Sequence, residues 1–282
     1  MLRMPDNLST GEDHNVPTDF AENPKKERQR ANESTTEQLA NRERGSPPCR
    51  NNSGIGKVDK RTNLYFVQTD DRGKTWCCAN GKIIETPITD PASAALVHDY
   101  RADKRLVYMK DIGFDAKNNP VILYITSAHH QPGPQGDPRM WTIAHWSGDT
   151  WNLSEVTTST HNYDMGSLYI EEDRLWKIIA PTEPGPQKYG SGGEIAIWTS
   201  RNQGQTWKKN RDITRNSMRN YSYVRRPVHA QPDFYGFWAD GNPEAMSESR
   251  LYFTDKSGSR VWRLPYNMEN STALPTILDQ KK

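Results

Sequence analysis

An all-β fold, built as four-stranded antiparallel blades of a β-propeller, is what the sequence predicts over residues 61–270, and three observations predict it. All nine tryptophans lie between Trp76 and Trp262, whereas the first 60 residues hold a single aromatic, Phe20. An eight-residue segment occurs twice behind an apolar run: Thr69-Asp70-Asp71-Arg72-Gly73-Lys74-Thr75-Trp76 follows Leu64–Val67, and Ser200-Arg201-Asn202-Gln203-Gly204-Gln205-Thr206-Trp207 follows Ile195–Trp198. Short β-branched and aromatic runs, broken by Gly, Pro, Asn and Asp, recur at roughly 50 residues, the length of a four-stranded blade.

Taken in order, residues 1–60 are rich in Asn, Glu, Arg, Ser, Thr and Pro without any period, and are expected to be a disordered polar tail, since they cannot bury enough surface to offset ordering. A partial blade is expected over 62–88, and full blades over 106–158, 164–214 and 221–266, about three and a half in all. Residues 271–282 read as a C-terminal tail. No stretch keeps a 3.6-residue period between its Gly and Pro breaks, so long helices are excluded. About three and a half blades do not close a ring, because propellers use about four to eight. The chain is therefore expected to be the C-terminal half of a larger propeller whose front has been lost or replaced by unrelated sequence, an incomplete or inactive remnant. Otherwise a second copy or a separate partner chain completes the ring.

The repeated segment has a physical reason. An Asp or Asn side chain accepts backbone N–H groups of a tight turn, Gly supplies positive φ, and the returning Trp folds against the sheet. Weaker echoes stand at His145–Trp151 and Tyr252–Gly258. The segment resembles the Asp box of sialidase-like propellers.

The net charge is +2 with both signs interspersed, which does not call for nucleic acid or an anionic membrane. No apolar run approaches the roughly 18 residues that span a bilayer. Met1 to Asn7 has no apolar stretch, so no secretory signal is read there. Cys49, Cys77 and Cys78 have no metal-ligand or disulfide spacing and read as small packing residues. No local motif demands a metal, although a structural divalent cation is compatible with this fold.

Candidate site residues cluster where strands meet loops, the places on a rigid scaffold that carry binding and catalysis. His129 and His130 follow the strand Val121–Ile125 in a Pro/Gly-rich loop. His161 and Tyr163 lie at the start of the next blade, with Asp164 expected to orient the His161 ring. Arg225 and Arg226 lie on the innermost strand of the last blade, where one of the two faces the channel and offers its fork to a carboxylate. His229 would share a face with Arg225 by the two-residue period of a strand. The loop Gly185–Gly193 lacks the Lys-Ser/Thr ending of a phosphate loop and is expected to be a flexible groove-lining segment presenting Tyr189. Trp238 is a candidate aromatic platform for a sugar ring.

With these clusters (Ser127-Ala128-His129-His130, His161-Asn162-Tyr163-Asp164 and Val224-Arg225-Arg226-Pro227), residues 62–266 resemble the BNR-repeat family that includes propeller polysaccharide lyases such as the ulvan lyases. The resemblance implies a seven-bladed ring of which this chain holds the C-terminal half, and an extracellular or periplasmic setting. It implies an acidic polysaccharide as substrate, cleaved by β-elimination. His130 and His161 would serve as base and acid, Tyr189 would assist, and Arg225 or Arg226 would neutralise the uronate carboxylate. His129, Tyr163, Arg226, His229 and Trp238 would bind the chain of sugars. Two other readings stay open. A sialidase-like glycoside hydrolase would need an arginine cluster with a Tyr nucleophile and an acidic partner. A non-catalytic propeller would bind glycan or protein through its aromatics.

Overall fold

The computed structural model of the protein describes residues 61–171 and 175–278; the expected disordered stretch, 1–60, lies outside them. A short pair comes first, β1 (Leu64–Tyr65) with β2 (Leu96–His98). A four-stranded antiparallel meander follows: β3 (Leu106–Phe114), β4 (Pro120–Ser127), β5 (Arg139–Trp146) and β6 (Trp151–Ser159). The next contains β7 (Ser167–Ile170), β8 (Trp176–Glu183), β9 (Glu194–Ser200) and β10 (Lys208–Asp212). The last has β11 (Asn220–Arg225), β12 (Gly236–Gly241), β13 (Leu251–Thr254), β14 (Val261–Arg263) and β15 (Thr276–Leu278). Among the described residues the one helical turn is Pro134–Gly136.

Three expected blades therefore appear within a few residues of their expected limits. Two boundaries differ. The partner of β1 comes from residues 96–98, beyond the expected partial blade, and Gln68, Cys77 and Ile83 add only isolated bridges. Thr276–Leu278, placed by sequence in the C-terminal tail, is a fifth strand paired with β14. Its three residues are too few and too polar in context to register as a strand alone.

The sheets stack face to face, and strand alternation explains how. Along β4, Ile122 and Tyr124 join Leu64, Phe66 and Val97 on one side, while Val121, Leu123 and Ile125 join Leu168, Trp176 and Ile178 on the other. A strand buried on both faces becomes a continuous apolar run, as Val121–Ile125 is. Fully burying each such side chain contributes about 1.5–3 kcal/mol. Ile179, Ile195 and Ile197 then meet Tyr221, Val224 and Trp238 in the third interface. The outer strand β10, Lys-Lys-Asn-Arg-Asp, is polar, which protects an unpaired edge.

The repeated turns share one bonding pattern. Ser200 Oγ accepts the Gly204 N–H at 2.9 Å and Asn202 Oδ1 accepts the Thr206 N–H at 3.0 Å; Thr69 and Asp71 do the same for Gly73 and Thr75, each at 2.9 Å. Gly204 has φ +78° and backs directly onto the Trp176 ring, so a side chain there would be both strained and obstructed. In the echo at His145–Trp151 the acceptor is Ser147 Oγ, which takes the Thr150 N–H at 3.1 Å, so this turn is a different hairpin.

Gly166, which leads into β7, shows how closely the sheets approach. A Cβ there would stand 2.5 Å from Ala180 Cβ and 3.1 Å from both the Ile179 carbonyl and the Trp141 ring. Gly166→Ala is expected to destabilise the protein by roughly 1–3 kcal/mol, read as a lower urea midpoint at unchanged slope.

Candidate functional site

The site is set by charged residues where the innermost strands run beside one another. In β3 the register slips between Met109 and Asp111, and in β11 it slips between Ser222 and Arg225. Bulges of this kind re-aim side chains. Here each one lies beside a pair of adjacent charges, Lys110–Asp111 in β3 and Arg225–Arg226 at the end of β11.

Lys110 is 3% exposed, and its Nζ donates to the Asn162 carbonyl at 2.6 Å. It lies 5.7 Å from the centre of the Tyr108 ring and 6.0 Å from that of Tyr163. Burial lowers its pKa to about 7; Asp164 opposes the shift, and the Arg61 and Arg225 cations reinforce it. Asp164 is also buried, and desolvation raises its pKa to about 6 in spite of three hydrogen bonds. These come from Ser159 Oγ at 2.6 Å, the His161 backbone N–H at 3.2 Å and the Gly192 N–H at 2.6 Å. Asp164 thus holds main chain around His161 and does not orient its ring as expected.

The ring of His161 is held by another group: Nδ1 accepts the Tyr163 backbone N–H at 3.1 Å. In the neutral imidazole the proton therefore sits on Nε2, which makes the ring a donor. Desolvation, with the Arg139 and Lys110 cations adding to it, lowers the His161 pKa to about 4.

Asn162 connects the two histidine segments. Its Nδ2 donates to the His130 carbonyl at 2.9 Å, so the loop after β4 is tied to the turn before β7. Arg139 braces that loop from beneath, donating to the carbonyls of Gln131 at 3.0 Å and Gly133 at 2.8 Å and pairing with Asp137 at 2.7 Å. His130 is half-buried and His129 exposed on this braced loop.

On β11, Val224 enters the third core and Arg226 swings to the same neighbour, with its guanidinium 5.8 Å from the Tyr169 ring centre and its N–H on Ser167 Oγ at 3.0 Å. Arg225 stands opposite Phe237 in the strand register, at the end of β11, where its charge acts on both Lys110 and Asp111. Burial pushes the Asp111 carboxyl up, while Arg226, then the Leu168 and Ile112 backbone N–H groups, and last Arg225 pull it down. Cations thus outnumber acids in this cluster: Lys110, Arg61, Arg225 and Arg226 against Asp111 and Asp164.

Three expectations are corrected. Trp238 is 1% exposed, within the third core, and offers no surface to a sugar. His229 lies in an exposed turn after β11 ends at Arg225, so the two-residue period does not link it to Arg225. The loop carrying Tyr189 is pinned rather than flexible: Asn220 Nδ2 donates to the Gln187 carbonyl at 2.9 Å and Oδ1 accepts the Gln187 N–H at 3.1 Å, while Asp164 holds Gly192. Tyr189 is nonetheless 43% exposed and Tyr163 36%, so both hydroxyl-bearing rings reach solvent.

Sequence reasoning missed Lys110, Asp111 and Arg139. The signal for the first two was present: a Lys-Asp pair interrupting the apolar strand Leu106–Phe114. Two clefts lie away from this cluster. One of about 530 Å³ is bordered by Glu183, Glu194 and Asp212; another of about 340 Å³ is bordered by Asp115, His145 and Trp176. In the first, Lys209 pairs with Glu183 and Asp212, and Arg215 also pairs with Asp212. Among the described residues no group of three or more His, Cys, Asp or Glu is placed to hold a metal ion, and no helix is long and apolar enough to cross a membrane. Cys77 and Cys78 are free thiols, and Cys49 lies outside the described residues.

Residues 49–159 match the model of a BNR repeat-containing family. The fold is that of a β-propeller. An ulvan lyase of polysaccharide lyase family PL25 superimposes with a TM-score of 0.57 at 14% identity, over 70% of this chain and 43% of that one. The same figures hold for that lyase bound to -[GlcA(1-4)Rha3S]-. A second polysaccharide lyase, Uly1, gives a TM-score of 0.45 at 12% identity over 70% of this chain and 40% of its own. At such identities the likeness is one of fold, and the chain spans less than half the length of these lyases. No curated protein sequence matches the chain.

The His161 environment has a measurable consequence. In the unfolded chain an imidazole takes a proton near its ordinary pKa of about 6.5, whereas the folded ring refuses it until about pH 4. The unfolded state binds the extra proton in between, so this residue's contribution to stability is lost as pH falls from about 6.5 to about 4. NMR titration should show the His161 ring neutral at pH 5, with the Nε2–H tautomer; a midpoint near pH 6.5 would contradict the burial described.

Proposed function

We propose that this propeller binds a uronate-containing, ulvan-type acidic glycan across the loops that carry His130 and His161, and cleaves it by β-elimination outside the cell. The observation that carries this reading is the excess of cations around the two bulged inner strands, beside a braced histidine loop. A polyanion gains from such a cluster, and a partly desolvated guanidinium suits a carboxylate in two-point contact. The fold shared with ulvan lyases supports the same substrate class.

The chemistry follows from the charges. The C5 proton of a uronate is too weakly acidic to leave while the adjacent carboxylate keeps its full charge. Arg225 or Arg226, assisted by the field of Lys110, offsets that charge and stabilises the enolate-like transition state. His130 takes the C5 proton. The C5–H electron pair becomes the C4=C5 double bond, the C4–O glycosidic bond breaks, and the departing oxygen receives a proton from a half-exposed tyrosine, Tyr189 or Tyr163. His161, with Nδ1 occupied by main chain, serves as a hydrogen-bond donor to the sugar rather than as the base.

The product's unsaturated uronate absorbs near 235 nm, which provides the test. The purified full chain, incubated with ulvan and other uronate polymers, is expected to raise that absorbance. His130→Ala should lower kcat by about 10²–10⁴-fold, the usual contribution of a general base. Arg225→Ala or Arg226→Ala should raise KM and lower kcat together. A folded protein that retains these glycans on an affinity gel without any rise would reduce the reading to glycan binding, and one that neither binds nor cleaves them would remove it.

A further inference from the structure

The bulge in β11 holds an aromatic residue in a strained conformation. Ser222 stands opposite Ala239 and Arg225 opposite Phe237, so Tyr223 and Val224 together face the single residue Trp238. Of the two, Val224 is buried in the third core, the place that plain alternation from Tyr221 would give to Tyr223. The extra residue is therefore Tyr223, and its ring is 57% exposed. Its φ is +57°, in the left-handed region. Among the described residues, every other non-glycine residue with positive φ is polar and lies in a turn or loop. A bulky aromatic in this conformation is an outlier, because its Cβ crowds the following carbonyl; Gly or Asn would hold the same bulge with less strain.

Packing does not offset that strain. Neither the hydroxyl nor the ring of Tyr223 has a hydrogen-bond or ring partner among the described residues. Residues held in such conformations cluster at ligand clamps, where the surrounding structure enforces them. The surroundings here are the segments of the candidate site. On one side Tyr221 bridges Gly193, at the end of the loop presenting Tyr189, through N–H···O bonds of 2.9 and 3.0 Å. On the other, the Val224 N–H donates to the Met165 carbonyl at 3.2 Å, in the segment that follows His161 and Tyr163. Ser167 Oγ fixes the bulge further, donating to the Val224 carbonyl at 3.2 Å and accepting the Arg226 N–H at 3.0 Å. Tyr223 thus leaves β11 between these two loops, just before Arg225.

We propose that Tyr223 is a stacking platform for one pyranose ring of the acidic glycan, and that the β11 bulge serves to present it beside Arg225. This rests on the glycan reading above and deepens it by naming a residue that reads sugar shape. A pyranose turns a face of C–H groups to one side, apolar although its rim is hydroxylated. An exposed tyrosine ring matches that face and has little conformational entropy to lose. With one sugar seated on the ring, the carboxylate of an adjoining uronate falls to the Arg225 guanidinium, so the ring selects shape and the arginine selects charge.

Calorimetric titration of the full chain with ulvan oligosaccharides, in a His130→Ala background that prevents cleavage, tests it alongside urea unfolding of each variant. Tyr223→Asn should weaken binding about ten-fold, the size of one good aromatic contact. Its urea midpoint should equal or exceed that of the chain with Tyr223, because Asn tolerates the left-handed backbone. Tyr223→Phe keeps the ring face and should restore most of the affinity. A packing residue would behave the opposite way, losing stability and keeping affinity. If Tyr223→Asn binds as tightly as the chain with Tyr223, or loses affinity only together with a lowered midpoint, the platform is overturned while the glycan reading stands. Tyr223→Phe binding as weakly as Tyr223→Asn would overturn it equally. A chain with Tyr223 in place that binds none of the uronate polymers would remove both readings.

Discussion

Among the described residues each sheet packs an apolar face on its neighbour, and the two middle sheets do so on both sides; that constraint governs the rest of the structure. A blade buried on both faces cannot be stable by itself; its strands need a neighbour in front and another behind. The three interfaces built around Ile122, Leu123 and Ile179 meet this requirement within the chain. With both faces committed to packing, only strand ends, connecting loops and inner-strand bulges are left to carry polar chemistry. The charged cluster uses all three: bulged strands supply Lys110 and Asp111, a strand end supplies the arginines, and the loops supply the histidines.

The same constraint explains the cost of the site. Lys110 and Asp164 are charged groups in a nearly dry setting, and desolvation displaces both from their ordinary pKa values. Such groups persist where surrounding hydrogen bonds and opposite charges offset part of the penalty. Here the offset comes largely from main chain, through the Asn162 carbonyl and the Gly192 and His161 amides. The cluster and the loop geometry are therefore one unit, and a change in either is felt in the other.

Much of the fold was legible because its signals are local. The turn segment at 200–207 and the run Val121–Ile125 each fit within a few residues, and the blade limits followed from spacing those pieces. The site was less legible because facing is not local. Phe237 and Trp238 are neighbours of the same type, yet one looks outward and the other is core; which is which depends on register with β11 and β13. The bulge at Ser222–Arg225 ended the simple alternation that would have linked His229 to Arg225. His130 and His161 were singled out from loop composition, but the Asn162 link between their segments spans 32 residues of sequence and required the fold. Lys110 was overlooked since a strand of otherwise apolar residues reads as core.

The brace under the histidine loop has a consequence for how this surface can change. Arg139 grips the loop through the carbonyls of Gln131 and Gly133, atoms that every amino acid possesses. The shape of the loop is thereby uncoupled from the side chains displayed at 129, 130 and 131. Mutation can rewrite that display without rebuilding its frame, so the chemistry shown at this corner of the propeller is free to drift while the architecture stands still.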